Sequence, residues 1–325
     1  VRDPKIQFYQ SLSTLLKAGV PIIRAVQTAS RALRGSWRRM ALSLETDLRR
    51  GITLAESMEH KKRFFDSLEV ELIRTGEQTG QLAEMVEQLG EWRQFLLHIK
   101  RIFFSGMALP VFILHAAAMV IPIPILGKAF LSGEGTVMEY FYSVGRILLS
   151  FYLPAAIAAV LVAWTPSQGP LRRMYDAFLC AIPLLGKAVI HLALSRYAKT
   201  FAMLYGAGIP IIQAAEQATR NCGNWVVAQR LKGGYLNTKK GLPMSAGFAP
   251  TVDPEFREIW LVGEETGELD QCARRLGNMY AEQAELRFKT FARGFPIMVY
   301  LILLMVLAFV VIQGFLSIYG SILSF

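Results

Sequence analysis

The chain has 325 residues, 53% of them hydrophobic and only 18% charged, and its 35 Lys/Arg against 25 Asp/Glu leave a formal charge of +10. A soluble domain carries about 25% charged residues, and disorder needs low hydrophobicity. A mean hydropathy of +0.35 therefore argues against both a disordered chain and a simple soluble enzyme domain, and for a basic membrane protein.

Residues 1–101 hold 17 Lys/Arg and 12 Asp/Glu. The start, VRDPKIQFYQ, is charged and lacks the apolar run of a secretory signal. Phe8, Leu12, Leu15 and Leu16 form one helical stripe. Gly19 suits the left-handed position just past a helix end, and Pro21 suits the first turn of the next helix. A third helix follows Trp37, with Met40, Leu44 and Leu48 at steps of four, and a short helix follows Gly51. The last helix starts near Thr79 or Gly80. Its apolar residues Leu82, Met85, Val86, Leu89, Leu96 and Ile99 recur at three- and four-residue steps, and no breaker separates it from the stretch beyond.

That stretch, Ile102 to Gly127, contains no charge, although it includes His115. As a helix its 26 residues would reach about 39 Å, more than the roughly 30 Å hydrocarbon core. The expected organisation is a first span at 102–131, ending or kinking at Pro122-Ile123-Pro124, a short external loop at 132–145, and a second span at 146–166. The loop carries Glu134 and Glu139. Residues 167–293 form a second helical block with 16 Lys/Arg and 11 Asp/Glu, and 294–325, without any charge, form a third span with a short external C-terminus. Lys100, Arg101, Arg172, Arg173, Lys289 and Arg293 lie close to span ends, which places both charged blocks in the cytoplasm.

The two blocks are repeats. Ala18-Gly19, Pro21, Ala25 and Ala29 match Ala207-Gly208, Pro210, Ala214 and Ala218 at an offset of 189, and ELIRTGEQTGQLAEMVEQLG from Glu71 matches EIWLVGEETGELDQCARRLG from Glu258 at 187. The corner A-G-[VI]-P thus occurs twice, with Gly208 and Pro210 in the second copy.

The second repeated motif is Gly76-Glu77-Gln78-Thr79-Gly80 and Gly263-Glu264-Glu265-Thr266-Gly267. Gly76 and Gly263 are expected to end one helix, and Thr79 and Thr266 to cap the next. Glu268 and Asp270 then complement the helix dipole. Glu77 and Glu264 are left over. Their candidate roles are partner binding, weak divalent-cation binding, or a local hydrogen-bonded carboxylate that holds the corner shut.

The basic clusters are Arg38-Arg39, Arg49-Arg50, Lys61-Lys62-Arg63, Arg172-Arg173 and Lys239-Lys240. They suit anionic lipid head groups or an acidic partner, at about 1 kcal/mol for each side chain near the surface, or simply a solvated face. No nucleic-acid motif accompanies them.

Catalytic signatures are missing. There is no G-x-x-x-x-G-K-[ST], no H-E-x-x-H and no G-x-S-x-G, and Cys180, Cys222 and Cys272 have no metal spacing. No cofactor is expected. His115, the one ionisable group well inside a span, reads as an imidazole hydrogen-bonded to a neighbouring helix in preference to a proton site.

A duplicated helical domain with A-G-[VI]-P and G-E-x-T-G-x-L in each copy, alternating with three spans, resembles the inner-membrane platform family of type II secretion and type IV pilus machines (GspF/PilC type). The stretch from Ile182, IPLLGKAVIHLALSRYAKTFAMLYGAGIPI, resembles the family's entry into its second domain. The resemblance implies an all-α membrane protein of two homologous cytoplasmic six-helix bundles and three transmembrane helices, without enzymatic activity, in a bacterial inner membrane. It implies as partners a hexameric assembly ATPase, prepilin or pseudopilin subunits, other inner-membrane machine components and further copies of the chain. Phe65-Asp66-Ser67 departs from the family pattern, which has proline there. A transporter built on an internal repeat is the alternative, disfavoured because the repeats lie outside the spans and the spans lack charge. An intramembrane enzyme lacks any nucleophile or metal motif.

Overall fold

The computed structural model describes residues 3–123, 137–164, 170–183 and 185–323. The described residues contain helices and turns and no strand. The expected end of the first span from Pro124, the loop residues 132–136 with Glu134, residues 165–169, and the last two residues lie outside them.

Repeat 1 has six helices: α1 Pro4–Lys17, α2 Ile22–Arg31, α3 Gly35–Arg49, α4 Leu54–Glu59, α5 Ser67–Thr79 and α6 Leu82–Val120. Among the described residues two helices follow, α7 Val137–Trp164 and α8 Pro170–Ala181. Repeat 2 retraces the first with α9 Leu185–Gly206, α10 Ile211–Asn221, α11 Trp225–Thr238, a 3-10 turn Ser245–Gly247, α12 Pro254–Thr266 and α13 Leu269–Leu323. Helix α7 is described from Val137, nine residues ahead of the span expected at 146, and Gly145 lies inside it.

The corners explain why the sequence turns where it does. Gly19 has φ 76°, donates to the Leu16 carbonyl at 2.9 Å, and is followed by Val20 donating to the Leu15 carbonyl at 3.0 Å. Gly208 (φ 88°) and Ile209 repeat this with the Tyr205 and Leu204 carbonyls. Both are left-handed helix stops that satisfy orphan carbonyls. Pro21 and Pro210 sit one residue earlier than expected. They are the N-cap residues of α2 and α10, and their carbonyls accept the first helical bonds, from Ala25 and Ala214.

Helix α5 starts at Ser67 without a proline, and Asp66 caps it. Its side chain accepts from Glu69 N while the Glu69 side chain accepts from Asp66 N, a complete capping box. In repeat 2 the same place has Asp253 as cap and Pro254 at the first helical position.

Residues 1–100 and 187–284 form one compact unit, and 101–186 with 285–325 form another. In the first unit the repeats share a continuous apolar core. Phe8, Tyr9, Leu12, Leu44 and Leu72 fill repeat 1, and Tyr197, Phe201, Phe256, Trp260 and Tyr280 fill repeat 2. Trp260 lies 4.9 Å from Phe201, 5.4 Å from Tyr197 and 5.5 Å from Phe256, ring to ring. Equivalent glycines make the equivalent crossings. A Cβ on Gly90 of α6 would meet Tyr9 at 3.4 Å, and one on Gly277 of α13 would meet Lys199 at 2.6 Å. Across the repeats, the Arg196 guanidinium lies over Trp92 at 5.8 Å and the Lys199 ammonium over Phe95 at 4.5 Å.

In the second unit, α6 and α13 carry runs long and apolar enough to cross a membrane, and their large apolar side chains there are exposed, Phe112 and Met305 each at 70%. Among the described residues a third such run is found only if the bent pair α8 and α9 is taken as one span. The helices meet at small residues: a Cβ on Gly106 would fall 2.3 Å from the Ala292 Cβ. His115 Nδ1 lies 2.8 Å from the Val111 carbonyl and Nε2 lies 3.5 Å from the Tyr152 hydroxyl on α7.

Candidate functional site

The two glutamate corners are built alike. Glu77, near the end of α5, accepts from Leu54 N at 2.6 Å and from Ala55 N at 3.1 Å. These are the first two N–H groups of α4, which no helical carbonyl can reach. Thr53 caps the same end by accepting from Glu56 N. Glu264 accepts from Met244 N at 2.5 Å and Ser245 N at 3.0 Å, at the start of the 3-10 turn. Each carboxylate therefore clamps the chain some 20 residues upstream onto its own helix, with both oxygens occupied. Among the described residues no group of three or more His, Cys, Asp or Glu is placed to hold a metal ion.

The glycines of the motif have other roles than expected. The helix stops fall at Gly80 and Gly267, both with φ 76°, four residues beyond Gly76 and Gly263. Gly76 and Gly263 are inside α5 and α12, where a missing side chain lets the next helix approach. A Cβ on Gly76 would stand 3.0 Å from Leu82 Cα, and one on Gly263 2.8 Å from Cys272 Cβ. Thr79 ends α5 and turns its hydroxyl back to the Thr75 carbonyl, so it is not the cap of α6. Thr266 donates back to the Val262 carbonyl and also accepts, at 3.4 Å, from Glu268 N.

The basic clusters divide. Lys61 is tied to Asp47 at 2.6 Å, Arg49 to Glu45 at 2.9 Å and Arg172 to Asp176 at 3.4 Å. Arg38, Arg39, Arg50, Lys62, Arg63, Arg173 and Lys240 are exposed, as is Lys239, which lies 3.9 Å from the Glu216 carboxylate. Lys61 and the Ser57 hydroxyl together hold the Asp47 carboxyl below the usual carboxylate range.

Sequence reasoning missed two features. One is a buried charge network that locks α1 to α5 and α6. Glu69, 1% exposed, accepts from Lys5 Nζ at 2.6 Å and Arg93 Nε at 2.8 Å. Burial pushes the Lys5 ammonium down against the opposing pull of Glu69, and it raises the neighbouring Tyr9 phenol well above its ordinary value. The spacing of these residues, 64 apart for Lys5 and Glu69, leaves no local signal. The other is a cleft of about 420 Å³ where α6 faces repeat 2, lined by Glu84, Glu87, Gln88 and Glu91 on one side and Met203 and Arg274 on the other. The acidic i, i+3, i+7 series on α6 was legible, but not what it faces.

Two halves of the chain, residues 8–126 and 197–318, match the family described as Type II secretion system (T2SS), protein F, and the chain belongs to that family. Each match begins in the first helix of a repeat and continues into a long apolar helix. The chain is 28% identical over 297 residues to the type 4 fimbrial assembly protein PilC of Pseudomonas putida, covering 85% of this chain and 73% of that protein. It is 25% identical to the type IV pilus assembly protein PilC of Thermus thermophilus, over 86% of this chain and 72% of the relative. The type II secretion system protein F of Vibrio cholerae is 23% identical, over 82% and 70%.

Proposed function

We propose that the protein is a non-catalytic platform in a bacterial inner membrane, serving a type II secretion or type IV pilus-like machine. In this reading it passes the conformational work of a hexameric assembly ATPase to prepilin or pseudopilin subunits leaving the bilayer, alongside other inner-membrane components. The observation that carries it is the double family match, each half joining a helical repeat to an apolar helix. Relatives named for pilus assembly and for type II secretion support the same class of machine.

Both repeats are proposed to face the cytoplasm, with α6, α7 and α13 as the three spans. Exposed Leu149, Phe151, Leu153, Ile157 and Val160 on α7 support its place among them. Helix α9 is a poor candidate for lipid, since Leu194, Tyr197, Ala198 and Phe201 are buried in the core. Lys100, Arg101, Arg172, Arg173, Lys289 and Arg293 near the span ends support the orientation.

In-cell crosslinking followed by identification of partners tests the proposal. Recovery of an assembly ATPase and a prepilin-like protein is the expected result. Purified protein that moves solute across liposomes unaided would overturn it in favour of a transporter. Labelling of single cysteines placed in the turn at Lys240 from outside intact cells would overturn the orientation.

A further inference from the structure

The repeats differ at one flank. Asp253 follows Gly241 by 12 residues, whereas Asp66 follows Gly51 by 15. Repeat 1 fills the longer segment with α4, and Glu59 at its end pairs with Arg74 at 2.6 Å; the adjacent Thr75 is 8% exposed. Repeat 2 has only the three-residue turn, and the equivalent residues of α12, Leu261 and Val262, are 39% and 51% exposed. The shorter segment uncovers Val262, whose counterpart Thr75 is buried, and at Leu261 an apolar side chain takes the comparably exposed place of the ion-paired Arg74.

Around this apolar pair stand Glu258, Glu265 and Glu268, all exposed and none in an ion pair among the described residues. Glu258, Val262 and Glu265 follow one another at steps of four and three, on one helix face. Residues 253–270 hold seven acids and one base, Arg257, inside a chain of net charge +10. An anionic leaflet would repel such a face. Its occupant has to be basic and to offer an apolar contact.

The complementary chemistry is exposed on repeat 1. Residues 4–44 contain seven Lys/Arg and no Asp or Glu. On α3, Arg38 and Arg39 precede the exposed Leu42 by one helical turn, and neither arginine is ion-paired among the described residues.

We propose that copies of this chain associate head to tail, the α12 face of one copy docking on the α3 face of the next. Leu42 against Leu261 and Val262 supplies the apolar centre, and Arg38 and Arg39 against Glu258 and Glu265 set register and encounter rate. The contact is heterologous, so each copy uses one face and offers the other. It does not rest on the platform reading, because the purified protein alone is enough to test it.

The test uses the full chain in detergent micelles, with association measured by sedimentation. E258R/E265R and R38E/R39E, each checked for native circular dichroism, are expected to weaken self-association at least tenfold. Each variant then opposes like charges within its own pairs. An equimolar mixture restores both charge matches, Arg on Glu and Glu on Arg, and is expected to associate like the parent. Independently of charge, a photo-crosslinker at position 261 is expected to capture residues 35–49 of another copy. Parent-like association of either variant, failure of the mixture to recover, or capture of a different segment would each overturn the proposal.

Discussion

Replacing Glu77 with alanine isolates the clamp on α4. The substitution removes both acceptors and leaves Leu54 N and Ala55 N, now bonded at 2.6 and 3.1 Å, without protein partners. A hydrogen bond to a charged acceptor contributes about 1.5–3 kcal/mol net. The carboxylate is half-buried, so water replaces part of what is lost, and about 3 kcal/mol for the pair is the reasonable figure. Helix α4 has six residues and cannot hold itself by propensity. The loss should therefore surface as local opening, at about 1.4 kcal/mol per factor of ten, or roughly 100-fold faster amide exchange over residues 54–59. Hydrogen-exchange mass spectrometry on the full chain in micelles reads this directly. Thr53→Ala removes one neutral cap and should accelerate the same amides only about fivefold, near 1 kcal/mol. Glu77→Gln should fall between, since its amide nitrogen turns a donor toward a donor. Exchange over 54–59 within threefold of the parent in folded Glu77→Ala would show that the carboxylate is not the clamp. Glu264→Ala should act likewise on residues 244–247 and leave 54–59 unchanged.

Glu69→Ala leaves the buried Lys5 without its carboxylate and Arg93 with Asp66 alone, and should cost about 3–5 kcal/mol of stability, read as a fall in the denaturant midpoint. Gly233→Ala should be the most damaging glycine substitution in repeat 2, because its Cβ would lie 1.9 Å from the Gly247 carbonyl oxygen, while Gly267→Ala should cost only about 1–2 kcal/mol for its φ of 76°; thermal shifts rank the two. Burial holds Lys5 and Lys199 below 10.5 in the folded state, so the unfolded chain binds more protons just under that pH and stability should rise with pH there. Burial raises Tyr9 and Tyr197 above 10.0, so stability should fall again once the unfolded tyrosines ionise. Lys199→Met should reduce the rise to the share of Lys5 and leave the fall, measured as denaturant midpoints from about pH 8 to 11.

Much of this architecture is written locally. The Gly19 and Gly208 stops, the apolar stripe of α1 and the uninterrupted run of α6 follow from backbone periodicity and from the one residue type that tolerates positive φ, and these act within a few residues. The same holds for the duplication, since a repeated pattern needs no fold to be seen. The glutamate corners were legible only as leftovers. That Glu77 meets Leu54 and Ala55, 23 and 22 residues back, depends on how α5 packs against α4.

The sequence by itself determined an all-helical, duplicated chain, where its charge and apolar runs lie, and its family. The tertiary structure alone decided that Gly80 and not Gly76 stops α5, because both glycines are permissive and only packing against Leu82 and Met85 requires the absence of a side chain at Gly76. It also decided that the repeats share one core in a single unit, and that Val262 is bare where its counterpart Thr75 is buried. The basic charge the chain carries is thus unevenly presented: Arg38 and Arg39 stand exposed on one repeat, and Glu258, Glu265 and Glu268, without an ion pair among the described residues, stand exposed on the other. Charge totals add along the chain, whereas exposure and pairing depend on contacts between segments far apart in it, which no local pattern encodes.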